Sequence, residues 1–78
     1  MVTPDQVKQY IEQGMACQHI ECSGDGHHFE AVIVSELFRG KRKVQQHQIV
    51  YTALGDRMRE EIHALSMQTL TPEEWAAK

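Results

Sequence analysis

Apolar and polar positions along the chain change period several times, and each change marks an element. In TPDQVKQYIEQG, Val7, Tyr10 and Ile11 fall on one helical face. Thr3 precedes this run as a cap, Pro4 suits the first helical position, and Gln6 completes a capping box. Gly14 is a natural stop, so a first helix of about three turns is expected. ACQHIECSG alternates weakly and contains few helix formers, and SGDG at 23–26 is turn chemistry. HHFEAVIVSELF follows as the clearest strand, with Phe29, Val32, Ile33 and Val34 as its β-branched and aromatic core. The two segments predict a hairpin.

Helical spacing returns from Val44 to Glu61 through Val44, Ile49, Val50, Tyr51, Leu54 and Met58, with Gly55 as a candidate break. IHALSMQT then alternates, placing Ile62, Ala64, Ser66 and Gln68 on one side and His63, Leu65, Met67 and Thr69 on the other, as in a third strand. LTPEEWAAK repeats the opening device: Thr71 caps, Pro72 enters the first turn, Glu74 closes the box, and Trp75 is available to fold back on the sheet. The order is αββαβα. A helical crossover between the second and third strands permits parallel pairing, which predicts an α+β fold with a three-stranded mixed sheet and both long helices on one face.

Length adds a bound. The 78 residues fit one domain spanning 1–78, with a modest core and little spare stability. Two cysteines, Cys17 and Cys22, are too few for a disulfide framework. The first residues lack an apolar leader, and no run approaches the roughly 18 apolar residues of a membrane span, so the expected address is a reducing cytoplasm with no membrane partner. The formal net charge of -3 argues against a dedicated nucleic-acid binder, although RGKRK at 39–43 is a local basic exception.

Candidate chemistry centres on five histidines. His19, His27 and His28 lie in or beside the predicted hairpin, His47 falls in the long helix and His63 on the last strand, while Cys17 and Cys22 flank the hairpin. Imidazole and thiolate are borderline-soft donors that favour zinc, copper or iron-sulfur centres. The spacing matches no structural zinc site, since there is no CxxC pair. From the pattern alone, His63 reads as a strand-end imidazole bonded to a backbone carbonyl, and His47 as the edge of a packed helix face. His27 and His28 read as polar loop residues, Cys22 as a ligand or a small inert side chain, and Arg39, Lys41, Arg42 and Lys43 as a solvated loop or a nucleic-acid contact. No GxSxG elbow, phosphate loop or HExxH is present, and no side chain is nominated as a nucleophile with its base, so an enzyme is not expected.

HHFEAVIVSELFRGK, VQQHQIVYTAL and above all IHALSMQTLTPEEW, in this order and spacing, resemble the BolA family over nearly the whole chain. The compact length is most similar to its bacterial branch of the YrbA/IbaG type. The resemblance implies a class II KH-like fold and a partner, a monothiol glutaredoxin carrying CGFS, with which a heterodimer bridges a two-iron two-sulfur (2Fe-2S) cluster. There the glutaredoxin and glutathione supply cysteine ligands, and the BolA protein supplies a C-terminal histidine and, in many members, a second His or Cys from the loop between the first two strands. His63 stands at the position of that histidine, and the isolated chain is expected to carry no cofactor. For the second ligand the hairpin offers His27, His28 and Cys22, with His27 the first choice because it lies at the turn exit. The family is also described as transcriptional regulators, which makes DNA binding through Arg39, Lys41, Arg42 and Lys43 the alternative. RGKRK has one glycine where a KH loop needs GxxG, which counts against clamping single-stranded RNA. A homodimer is a further possible assembly.

Overall fold

The computed structural model describes residues 2–62 and 64–78. The elements run α1 (Pro4–Gly14), β1 (His19–Gly24), β2 (His28–Val34), a 3-10 turn (Glu36–Phe38), α2 (Lys43–Leu54), α3 (Arg57–Glu60), β3 (Ala64–Leu70) and α4 (Pro72–Ala76). This is the expected order, with the long helix divided in two.

Helix α1 starts where its capping box predicts. The Gln6 amide donates to Thr3 Oγ1 at 3.2 Å, and the Thr3 amide donates to Gln6 Oε1 at 2.8 Å. Its buried stripe is Val7 and Ile11. Gly14, read from the sequence as a stop, is the last helical residue, and its lack of a side chain has a second reason. A Cβ built on Gly14 would stand 2.4 Å from the Ala53 carbonyl oxygen, so α1 and α2 approach closely only because this position is bare.

β1 and β2 pair antiparallel, from His19 opposite Val34 to Gly24 opposite Phe29. β2 and β3 pair parallel, from His28 opposite Ala64 to Val34 opposite Leu70. β2 is therefore the central strand of the mixed sheet. Phe29, Ala31 and Ile33 alternate inward and join Val7, Ile11, Ile20, Phe38, Val50, Leu54 and Ile62 in the core on the helix side. The predicted second strand stops at Val34 instead of running on, because Ser35 caps the 3-10 turn: its Oγ accepts from the Leu37 amide at 3.1 Å and donates to the Ala16 carbonyl at 2.7 Å. Gly55 ends α2 at φ +60°, a conformation that favours glycine, and so produces the break between α2 and α3.

The opposite face of the sheet is open except at one end. There His19, Val34 and Leu70 form a row across the three strands, and Val34 and Leu70 are buried. Helix α4 folds back over that end, as expected, and the Trp75 ring stacks on His19 with centroids 4.6 Å apart and planes inclined by 20°. Its cap repeats that of α1: the Thr71 amide donates to Glu74 Oε1 at 2.8 Å, and Thr71 Oγ1 accepts from the Glu74 amide at 3.3 Å.

In α2 the side chains divide differently from the sequence expectation. Val44 and Tyr51 are exposed, whereas Gln46 is buried beside Val50 and Leu54. The Gln46 Nε2 group donates to the carbonyls of Phe38 at 3.1 Å and Lys41 at 3.0 Å, and Thr69 Oγ1 donates to Gln46 Oε1 at 2.6 Å. These bonds satisfy a buried amide and fasten the basic loop to β3.

Candidate metal-ligand end and basic loop

The hairpin turn is built around Asp25. Its Oδ1 accepts the backbone amides of His27 and His28, both at 2.9 Å, as an Asx turn does. These amides, His28 first, hold the Asp25 carboxyl below the usual carboxylate range. The consequence is a fixed backbone beneath two adjacent, exposed imidazoles. The sequence analysis missed Asp25, although an aspartate two and three residues ahead of the histidines was the available signal.

The same end of the sheet receives the start of β3. The Ala64 amide donates to the His27 carbonyl at 3.2 Å, and Ala64 stands opposite His28. His63, the expected first ligand, lies outside the described residues. In the chain it directly precedes Ala64, the residue tied to His27.

Cys22 is placed otherwise. It lies two positions after Ile20, packs half-buried against the core on the helix side, and pairs with Ala31. Burial, followed by the nearby Asp5 charge, pushes its thiol pKa up. His28 lies on the other face of the sheet, since it precedes the inward Phe29. Cys17 is also half-buried against the core, its thiol raised by burial and by Glu12. His47 is half-buried in α2. His19 is engaged between Trp75 and Glu21, with Nε2 2.7 Å from Glu21 Oε2. The structure thus brings His27 and His28 together and sets Cys22 on the opposite side. Among the described residues, no three His, Cys, Asp or Glu side chains converge as a metal site. A metal bound at the hairpin end would draw ligands from His63 or from another molecule.

The basic loop is partly neutralised by its surroundings. Arg39 donates to both carboxylate oxygens of Glu36 at 2.8 Å and pairs with Glu73 of α4. The two carboxylates hold the guanidinium charged, and Arg39 in turn lowers the Glu36 pKa. Lys43 Nζ donates to the Thr69 carbonyl at 2.5 Å. Lys41 and Arg42 are exposed, and the Arg42 amide is capped by Gln45 Oε1 at 2.9 Å. No helix among the described residues is long and apolar enough to cross a membrane.

Comparison with known proteins gives a consistent result. A family model described as BolA-like protein matches residues 3–74. The acid stress protein IbaG of Escherichia coli K12 is 36% identical over 73 residues, covering 92% of this chain and 87% of that protein. The DNA-binding transcriptional regulator BolA of Haemophilus influenzae is 45% identical over 60 residues, covering 77% of this chain but only 58% of that protein. A solved structure of a bolA protein homologue from Coxiella burnetii superposes with a TM-score of 0.86 at 46% identity, over 97% of this chain and 99% of that one.

Proposed function

The chain belongs to the BolA-like family, and from that premise we propose that it is a non-catalytic adaptor that pairs with a monothiol (CGFS) glutaredoxin around a bridging 2Fe-2S cluster in the cytoplasm, in iron homeostasis or cluster trafficking. The observation that carries this reading is the hairpin end, where the exposed His27 and His28 sit on an aspartate-pinned turn beside the strand that His63 precedes. His63 would supply one imidazole and His27 the second, with His28 next to it. The thiolates would come from the glutaredoxin and glutathione. Such a donor set fits a shared cluster, because imidazole in place of thiolate reduces the negative charge around the iron and can be protonated off. The bound cluster would supply one-electron chemistry and a transferable iron-sulfur unit.

Co-expression with the cognate glutaredoxin tests this. A coloured heterodimer is expected, with a visible circular dichroism spectrum distinct from that of the glutaredoxin homodimer and altered by His63→Ala. An unchanged spectrum in that variant would remove His63 from the ligand set.

DNA binding is the second reading, favoured by the name of the Haemophilus influenzae relative. With Arg39 and Lys43 engaged within the fold, Lys41 and Arg42 would carry it. It requires an affinity that falls steeply with salt and weakens on K41A and R42A. Affinity indifferent to both would rule it out.

A further inference from the structure

We propose that the groove between the end of α1, the 3-10 turn and the outward face of α2 docks an amphipathic helix of a partner protein, one with acidic residues in its last turn that lies antiparallel to α2.

The groove follows from how the elements meet. α1 and α2 touch at Gly14 and Ala53, where no side chain holds them apart. The chain leaves α1 at Met15, and the 3-10 turn that follows β2 brings Leu37 to the same side. The result is an open depression of about 430 Å³, in the size range of ligand clefts but too shallow to enclose a small molecule. Met15, Leu37, Ile49 and Ala53 supply its apolar lining, and Leu37 is left 47% exposed.

Its shape suits a helix. The α2 residues along it, Gln45, Gln48, Ile49 and Thr52, recur at i, i+3, i+4 and i+7, which is one helical face. That face is turned away from the one carrying Gln46, Val50 and Leu54, which packs inward. It extends about 10 Å along the axis, enough for two turns of a second helix packed ridge into groove. Its polar groups are neutral amides and a hydroxyl, which cost far less to desolvate than charges.

Charge selects the occupant and its direction. Among the described residues lining the groove, Lys41 is the one that carries a charge, and it stands where α2 begins, so the positive end of the α2 dipole adds to it. At the other end α1 terminates with no basic side chain in its last turn, and the negative end of its dipole lies there. A helix with an acidic last turn meets Lys41 with that turn and the end of α1 with its positive N-terminus, which sets it antiparallel to α2. A single-stranded nucleic acid fits less well, because the lining offers one cation and no aromatic ring for bases to stack on. Leu37 and Lys41 follow the last residue of β2 whereas His28 is its first, so the hairpin end lies about 20 Å away and the groove stands apart from the proposed cluster site.

NMR titration of the isotope-labelled chain with three probes tests the proposal: a leucine- and alanine-rich peptide with two glutamates in its last turn, the same peptide with the glutamates in its first turn, and a thymidine oligonucleotide. Both peptides are stapled so that their helicity is equal. The first should shift the amides of Met15, Leu37, Lys41 and Thr52, and should bind about tenfold more tightly than the second. K41E should weaken the first peptide by about tenfold and favour one ending in lysines instead. The backbone bonds of Lys41 to Phe38 and to the Gln46 side chain survive that substitution. L37S should weaken both glutamate peptides alike, with circular dichroism establishing that the variant is folded. No shift at millimolar peptide, equal affinity for the two glutamate placements, or an oligonucleotide that binds the same amides more tightly than the first peptide would overturn the proposal.

Discussion

Asp25 and His28 are tied twice across the hairpin: the Asp25 amide donates to the His28 carbonyl at 3.2 Å, and the His28 amide donates to Asp25 Oδ1 at 2.9 Å. The pair makes the direction of the two imidazoles depend on one exposed carboxylate. The folded pKa of Asp25 is depressed. Its contribution is therefore complete above the ordinary aspartate pKa, about 3.9, and is lost as pH falls through the lower folded value. The amide resonances of His27 and His28 should accordingly shift together below that ordinary value. Asp25→Ala should abolish the shared transition, with both amides exchanging faster at neutral pH.

Gln46 is the buried amide that joins the basic loop to β3. Gln46→Leu removes its partners from the Phe38 carbonyl and the Thr69 hydroxyl, and each group left unpaired in the interior costs about 1–3 kcal/mol. A loss of about 2–4 kcal/mol in urea unfolding is expected. Thr69→Val in the same background should cost much less than in the wild type, because the hydroxyl has already lost its acceptor.

Gly14→Ala tests the contact between α1 and α2. Alanine is the better helix former, so helix propensity alone predicts stabilisation. The Ala53 backbone stands where the new methyl would go, and the helices must separate. The expected outcome is a destabilisation of about 1–3 kcal/mol, measured by denaturant unfolding.

Cys17 and Cys22 both carry raised thiol pKa values, with burial the larger cause in each. A raised value leaves less thiolate near neutral pH. Alkylation by iodoacetamide, followed by mass spectrometry, should be slower in the folded chain than in urea, and should accelerate as pH rises. Cys22 labelled as fast folded as unfolded would contradict its placement against the core.

Much of the fold was legible because local signals agreed with one another. Both capping boxes formed as written, the hairpin reversed at the predicted turn, and Gly55 divided the long helix. Trp75 returned to the sheet, as its place beyond a capped turn suggested. The α2 face was less legible. Helical spacing included Val44 and Tyr51 in the apolar set, yet tertiary packing left both in solvent and buried Gln46, whose partners come from the distant Phe38 and Thr69. Of the site, the exposure of His27 and His28 was readable from their place beside the turn, and the opposite orientation of Cys22 depended on strand register. The commitment of Arg39 to Glu73 joins residues far apart in sequence, and no local pattern announces it.

The parallel pairing of β2 with β3 also has a consequence for how the chain acquires its structure. His28 and Ala64, partners in that ladder, are 36 positions apart, so the hairpin can close long before the last strand has anywhere to dock. The contacts that complete the hairpin end are therefore long-range in sequence, and such contacts slow folding. During synthesis, His27 and His28 would emerge and turn early, while the strand that His63 precedes must wait for the crossover helices. That end of the sheet is assembled only once nearly the whole chain is available.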